Sequence, residues 1–248
     1  MRNYIEKELY LNTQKQLVEL IVSNIESRRK QTYYAINSDC MLQYWSDADY
    51  RKLINKEKNL VYVDGMGVIY AQKILKIPQA VERIATTDLF PALLDYLNRH
   101  KKPLRIFLLG GKGDTAERVK SNFANRYPHT EIVGTHHGYF DKIADSKQII
   151  NDINAQNIDI LFVGFGNPVQ EKWVDEYFDS LQVQAIITCG GLFDYYANNV
   201  KRAPLFMQKL GFEWLFRLMQ EPRRLFKRYI FGNMKYIAKV FSIKLSNP

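Results

Sequence analysis

Cysteine is almost absent from this chain: Cys40 and Cys189 are the only two among 248 residues. Their spacing fits no metal motif and suits a reducing compartment, where free cysteines act as small buried hydrophobes. Long apolar runs are missing as well. No stretch reaches the ~18 apolar residues that a transmembrane helix needs, and the opening MRNYIEKELYL lacks an apolar signal-peptide core. No Pro/Gly/Ser-rich linker, internal repeat or low-complexity tract divides the sequence. Neither the Walker A pattern nor the dinucleotide GxGxxG pattern occurs. His136-His137 has no second ligand pair at useful spacing and reads as a solvated or hydrogen-bonded loop pair.

What is present is unevenly placed. The net charge is +9, and residues 201–248 carry all of it, with 11 Lys/Arg against 2 Asp/Glu. The first 200 residues are neutral, with 24 basic and 24 acidic side chains. That asymmetry predicts an acidic partner for the tail, anionic lipid or nucleic acid. The boundary falls near Lys201–Pro204, giving a predicted catalytic domain over 1–200 and an appendage over 201–248.

The body alternates strand and helix patterns. Strands are expected at Tyr33–Ile36, Leu60–Val63, Leu104–Leu109, Glu131–Val133, Ile160–Val163 and Gln184–Thr188. Helices are expected over 12–27, over Thr87–Asn98 with Thr87 as its cap, from the Gly110–Asp114 turn to about Arg126, and over Ser146–Gln156. Continuous apolar strands at βαβ spacing indicate a Rossmann-like α/β fold with a mostly parallel sheet. The segment DILFVGFGNPVQEKW, Asp159–Trp173, is the clearest unit: a buried strand, a turn bent by Gly164, Gly166 and Pro168, then a helical pattern beginning at Trp173. In such sheets ligands bind at strand C-termini, and a helix N-terminus attracts phosphate.

Five strand ends carry polar or glycine-rich turns: Asn37-Ser38-Asp39, Asp64-Gly65-Met66-Gly67, Gly110–Asp114, Gly164–Glu171 and Gly190–Asp194. A parallel sheet projects all five to one edge, which gathers Asn37, Asp64, Asp114, Gln170, Glu171 and Asp194. Asp64 is the candidate general base, because partial desolvation at a strand end raises a carboxylate's proton affinity; the alternative is a helix-capping Asp before Gly65. The loop containing Gly110 and Gly111 could cradle a diphosphate through backbone N–H groups, or be an ordinary βα turn. Asp47-Ala48-Asp49 has the letters of a divalent-ion motif but falls on a helical pattern and reads as a surface pair.

The tail is a different object. Leu205–Met219 is apolar and aromatic, and Pro222 can open a new helix. Counted at ~100° per residue, Arg224, Lys227, Arg228, Lys235 and Lys239 share one arc, and Leu225, Phe226, Tyr229, Tyr236, Ile237 and Val240 the opposite one. Such a basic amphipathic helix fits an interfacial membrane helix. A helix packed on the body or on a second subunit, and a nucleic-acid face, are the alternatives. Gly232-Asn233 is a place where the helix could break.

These blocks together resemble the WecG/TagA/CpsF glycosyltransferases of bacterial cell-surface polysaccharide synthesis, from about Thr32 to Tyr229. The anchors are Val63-Asp64-Gly65-Met66-Gly67, Arg83 with Asp88, Gly164–Glu171, Gly191-Leu192-Phe193-Asp194, Ala203-Pro204 and Gly211–Leu218 through Glu221-Pro222-Arg223-Arg224. The resemblance implies a Rossmann-like fold of the GT-E type and an inverting, metal-independent transfer from a UDP-sugar, N-acetylmannosamine-like or another hexose, with no cofactor. The implied acceptor is a polyprenyl-diphosphate-linked sugar at the cytoplasmic face of the plasma membrane, with the protein bound peripherally to anionic lipid. It makes Asp64 the base and places Asn37, Arg83, Asp88, Gly110, Gly111, Gly166, Gln170, Glu171 and Asp194 around the donor. Arg217, Arg224 and Arg228 are left to hold the acceptor diphosphate. Nucleic acid is not an expected partner; a homo-oligomer is compatible with an exposed apolar tail.

Two positions depart from the family pattern: Ala35 stands where a Thr is common, and Thr86 where a Gly usually lies between Arg83 and Asp88. Other functions compatible with the fold are an NAD(P)-dependent oxidoreductase and a non-enzymatic membrane-binding module.

Overall fold

The computed structural model describes residues 4–124 and 126–246, so the ends of both predicted domains, at 1–3 and 247–248, lie outside the described residues. In chain order the elements of the body are β1 (Leu9–Tyr10), α1 (Gln14–Glu26), β2 (Gln31–Ile36), α2 (Ser38–Ser46), α3 (Ala48–Ile54), β3 (Asn59–Val63), α4 (Met66–Leu75), α5 (Thr86–Arg99), β4 (Arg105–Gly110), α6 (Thr115–Ala124), β5 (Glu131–His136), α7 (Ser146–Asn154), β6 (Ile160–Gly164), α8 (Val169–Tyr177), β7 (Ala185–Thr188) and α9 (Leu192–Tyr196). The tail adds α10 (Leu205–Lys209), α11 (Glu213–Gln220), α12 (Pro222–Phe226), a π-helical turn (Lys227–Phe231) and α13 (Gly232–Ser246).

The strands form one sheet in the order β1-β3-β2-β7-β6-β4-β5, and every pairing is parallel. Alternate residues feed two apolar layers: Tyr34, Val61, Leu161 and Ile186 belong to one, and Tyr33, Tyr62, Phe162 and Ile187 to the other. Both faces are therefore covered, as the continuous apolar strands require. From the centre of the sheet the chain runs outward both ways, from β2 to β3 and from β4 to β5. Such a divergence leaves a crevice at the strands' carboxyl ends.

Three local expectations are corrected. Gly134 does not end β5 but lies within it; a Cβ there would sit 2.5 Å from the Phe107 ring. Thr87 does not cap α5, which begins at Thr86 after Ala85. The helix also absorbs Pro91, whose missing N–H would leave the Thr87 carbonyl open; Tyr196 Oη donates to it at 2.6 Å. And the turn after β6 is short, so α8 starts at Val169 rather than near Trp173.

The tail helix does not break at Gly232, which keeps right-handed helical angles (φ −61°, ψ −51°). Its apolar face is nevertheless not the one counted from the sequence. The π-helical turn inserts extra residues per turn and shifts the phase of the helix beyond it. Leu225, Tyr236, Val240 and Ile243 are buried, whereas Phe226 and Ile237 are exposed. Tyr236, Val240 and Ile243 pack into the layer that holds α2 and α4: Trp45 stacks on Tyr236, and Tyr236 Oη bonds Tyr4 Oη at 2.7 Å and Gly67 O at 3.2 Å.

Candidate active site

All five predicted strand ends open into one cavity of about 1760 Å³. Sites for one small ligand usually occupy ~300–1,000 Å³, so this space can hold two. Its walls come from the ends of β2, β3, β4, β6 and β7 on one side and from the tail helices on the other. The tail contributes Leu210, Phe212, Glu213, Trp214, Arg217, Arg224, Arg228 and Ile237.

Asp64 stands at the end of β3 in this wall. Its N–H donates to Ile36 O at 2.9 Å, which fixes the strand end. Its side chain does not cap α4; Gly65 holds that position without a side-chain cap. Instead Asp64 Oδ2 accepts from Thr86 N and Thr86 Oγ1, both at 3.3 Å, and Thr86 Oγ1 pairs with Tyr62 Oη at 2.7 Å. Burial lifts the Asp64 carboxyl to about 7, against the lowering pull of Arg83 and the Thr86 bonds, with Glu213 adding to the rise. A carboxylate near neutrality that keeps one oxygen for a substrate is suited to taking a proton from a hydroxyl. Thr86 is thus a direct ligand of the candidate base. Asn37 caps α2, accepting from Asp39 N at 3.0 Å and Cys40 N at 3.1 Å, and lines the same wall.

The glycine turns are tied to one another. Gln170 Oε1 accepts from Gly166 N at 3.1 Å and Gly190 N at 3.0 Å, so one amide pins the turns after β6 and β7. Gln170 Nε2 donates to Glu171 Oε1 at 2.7 Å, and Asn167 Nδ2 reaches Glu171 Oε2 at 3.3 Å and Tyr50 Oη at 2.6 Å. Gln170 and Gly166 line the cavity, while Glu171 lies behind them, 1% exposed, with its carboxyl raised by burial to about 7. Gly110 also stays behind the wall, where a Cβ would meet Gly164 O at 2.6 Å. Gly111 does line the cavity, but its N–H approaches Gly164 O at 3.4 Å and its carbonyl accepts from Gly138 N at 2.7 Å. Asp114 is on the surface, 3.3 Å from Arg118.

The tail arginines sit opposite. Arg217 is buried to 6% exposure and lies between Glu221 (2.7 Å) and Asp194 (3.6 Å), with its guanidinium over the Tyr195 ring at 4.9 Å. Its buried Nη1 has no hydrogen-bond partner. A buried donor of a cation left unmade is costly. Arg224 reaches Glu221 at 2.7 Å, and Arg228 reaches Asp39 at 2.9 Å across the cavity mouth. Arg83 lines the cavity, whereas Asp88 does not and is held by Arg202. Arg202 is not singled out by the sequence, and Glu213 and Trp214 are marked there only as part of the Gly211–Leu218 anchor, because what joins them to the body is spatial.

Cys40 and Cys189 are free and buried, as expected of small hydrophobes. The His136 and His137 rings lie 4.5 Å apart and tilted, with His136 Nδ1 against His137 O; they are not a loop pair, since His136 is the last residue of β5. Asp47 caps α3 and pairs with Lys172 at 2.7 Å. Among the described residues no group of three His, Cys, Asp or Glu is placed to hold a metal ion, and no helix is long and apolar enough to cross a membrane.

A family model, Glycosyl transferase WecG/TagA/CpsF, matches residues 4–248. The chain is also similar to two proteins each called N-acetylglucosaminyldiphosphoundecaprenol N-acetyl-beta-D-mannosaminyltransferase. One, from Bacillus subtilis (strain 168), is 34% identical over 189 residues, 76% of this chain and 71% of the relative. The other, from Bacillus spizizenii (strain ATCC 23059 / NRRL B-14472 / W23), is 34% identical over 186 residues, 73% of this chain and 68% of the relative.

Proposed function

This chain belongs to the WecG/TagA/CpsF family and is a glycosyltransferase; on that premise we propose that it moves a sugar from a UDP-sugar to a polyprenyl-diphosphate-linked sugar. The relatives' names favour N-acetylmannosamine as the sugar and an N-acetylglucosaminyl-diphosphate lipid as the acceptor. The observation that carries the reading is Asp64, held by Thr86 and raised to about 7, in the wall of a cavity large enough for both substrates.

In this reading the acceptor hydroxyl gives its proton to Asp64 as its oxygen bonds the donor's anomeric carbon. The bond from that carbon to the diphosphate breaks on the opposite face, so the configuration inverts. UDP leaves with the electron pair, and its developing charge is met by protein donors without a metal. Asn37, Gly111, Gly166, Gln170 and Asp194 surround the donor, and Gln170 acts by setting the two glycine turns. Arg217, Arg224 and Arg228, all in the cavity wall, take the acceptor diphosphate. No cofactor is required.

The exposed apolar side chains of the tail support a peripheral site on the cytoplasmic face of the membrane. Phe206, Met219, Phe226, Phe231, Met234, Phe241 and Leu245 are each at least half exposed, among the exposed cations Lys227, Lys235 and Lys239. That combination suits anionic lipid.

Asp64→Asn should abolish transfer and leave UDP affinity nearly unchanged. Trp214 lines the cavity, so fluorescence titration reads binding directly. Saturable quenching by UDP and none by NAD is expected; the reverse would point to an oxidoreductase, and full activity in Asp64→Asn would remove the base.

A further inference from the structure

The approach to α5 and its first turn meet the segment after Val200 in a closed ring of alternating charges. Arg83 Nη1 donates to Glu213 Oε2 at 2.9 Å, and Arg83 Nη2 lies 3.9 Å from Asp88 Oδ2. Arg202 Nε donates to Glu213 Oε1 at 3.1 Å, its Nη2 donates to Asp88 Oδ2 at 2.7 Å, and its Nη1 to Asp88 Oδ1. Both oxygens of Glu213 are engaged, each by a different arginine. The Arg83 and Glu213 side chains are only 14% and 17% exposed, so solvent screens this pair little.

The ring has a distinct neighbour on each side. Glu213 opens α11, and Arg217 lies four residues later on the same helical face. The ring thus fixes the end of the helix that carries the buried Arg217. On the other side Arg83 precedes Thr86, whose N–H and hydroxyl hold Asp64. The groups that face Asp64 are Tyr62 from its own strand, Arg83 and Thr86 from the approach to α5 and its first residue, Glu213 from α11, and Asn37, packed against Gly65, from the end of β2.

We propose that Glu213 is a positioning residue: by clamping the Arg83 guanidinium at the head of α11, it joins the seating of the C-terminal helices to the aspartate that acts as base. The proposal rests on the reading of Asp64 given above. Arg83 favours the ionised Asp64, and Glu213 opposes that both by its own charge and by occupying the guanidinium. With α11 seated, Asp64 keeps enough proton affinity to accept a hydroxyl proton, and Arg217 stands ready in the cavity. With α11 unseated, Arg83 turns to Asp64, the base weakens, and the anion hook is absent. One contact thereby makes the proton acceptor and the acceptor site appear together.

The test is a ¹³C carboxyl NMR titration of Asp64 in the full chain, assigned by its loss in Asp64→Asn and paired with the pH profile of kcat/KM. Glu213→Gln should lower the Asp64 midpoint by roughly one unit, and the acid limb of kcat/KM should move with it. Glu213→Asp, which keeps the charge, should return the midpoint toward wild type. Arg83→Gln should move it upward and keeps the test open if Glu213→Gln does not fold. An Asp64 midpoint unmoved in the folded variants overturns the proposal, even if activity falls. A midpoint that moves without the acid limb moving with it upholds the coupling and instead overturns Asp64 as the base.

Discussion

Two carboxyls, Asp64 and Glu171, are lifted to about 7 by burial, and their surroundings give them different work. Asp64 borders the cavity, and kcat/KM should rise with pH through about 7 as it ionises. Glu171 is sealed behind Gln170, so its effect is on position. Gln170→Ala would leave the Gly166 and Gly190 N–H groups without their shared acceptor, at ~1–3 kcal/mol for each buried donor left unpaired. Transfer should fall by about tenfold or more, measurable as kcat at saturating donor. Because each folded carboxyl holds its proton more tightly than the unfolded one, the folded state is favoured most below about pH 4. That advantage is lost as pH rises through about 7. Urea midpoints measured from pH 5 to 8 should decline in wild type, and more shallowly in Glu171→Gln. That Asp64 stands partly desolvated at the ligand-binding edge of the sheet was legible from a carboxylate at the end of an apolar strand. The role of Gln170 was not, because its two bonds join glycines that are 24 residues apart in the chain.

At the scale of elements, the strands were readable as apolar runs, because a parallel sheet covered on both faces admits little else. The misread points have physical causes. Gly134 resembled a stop, yet it is the absence of a side chain that matters there, with the Phe107 ring and Gln156 Oε1 filling its place. Gly134→Ala should cost about 1–3 kcal/mol, seen as a lower denaturation midpoint with an unchanged m-value. Thr87 resembled a cap, yet α5 starts one residue earlier, where the Thr86 hydroxyl serves Asp64 and Tyr62. Tyr196→Phe should destabilise α5 by ~1–3 kcal/mol, since the Thr87 carbonyl opposite Pro91 would lose its donor. In the tail, counting residues at a fixed angle failed at the π-helical turn, which no local composition announced.

For the molecule as a whole, the charge asymmetry was legible from composition, but the placement of the tail was not. Its helices both wall the cavity and present an apolar row to the outside. If the tail binds the membrane as proposed, deleting residues 201–248 removes that attachment and part of the site together. Replacing Phe226, Phe231 and Met234, which are exposed and outside the cavity wall, by Ser separates the two. That variant should no longer co-sediment with anionic vesicles, yet should bind UDP as wild type does, and salt should weaken the wild-type attachment. The ring of Arg83, Asp88, Arg202 and Glu213 escaped the sequence because its two halves lie more than 100 residues apart and meet only when the tail is seated.

In the proposed reaction this cavity transfers a sugar from UDP to a lipid-linked diphosphate sugar, with Asp64 as base. The most direct measurement incubates the purified chain with a synthetic polyprenyl-diphosphate N-acetylglucosamine and a panel of UDP-sugars, and weighs the products. One donor, UDP-N-acetylmannosamine first among them, should add a single sugar residue to the acceptor, and Asp64→Asn should add none. An acceptor left unchanged by every donor, or an equal product from Asp64→Asn, would contradict the account.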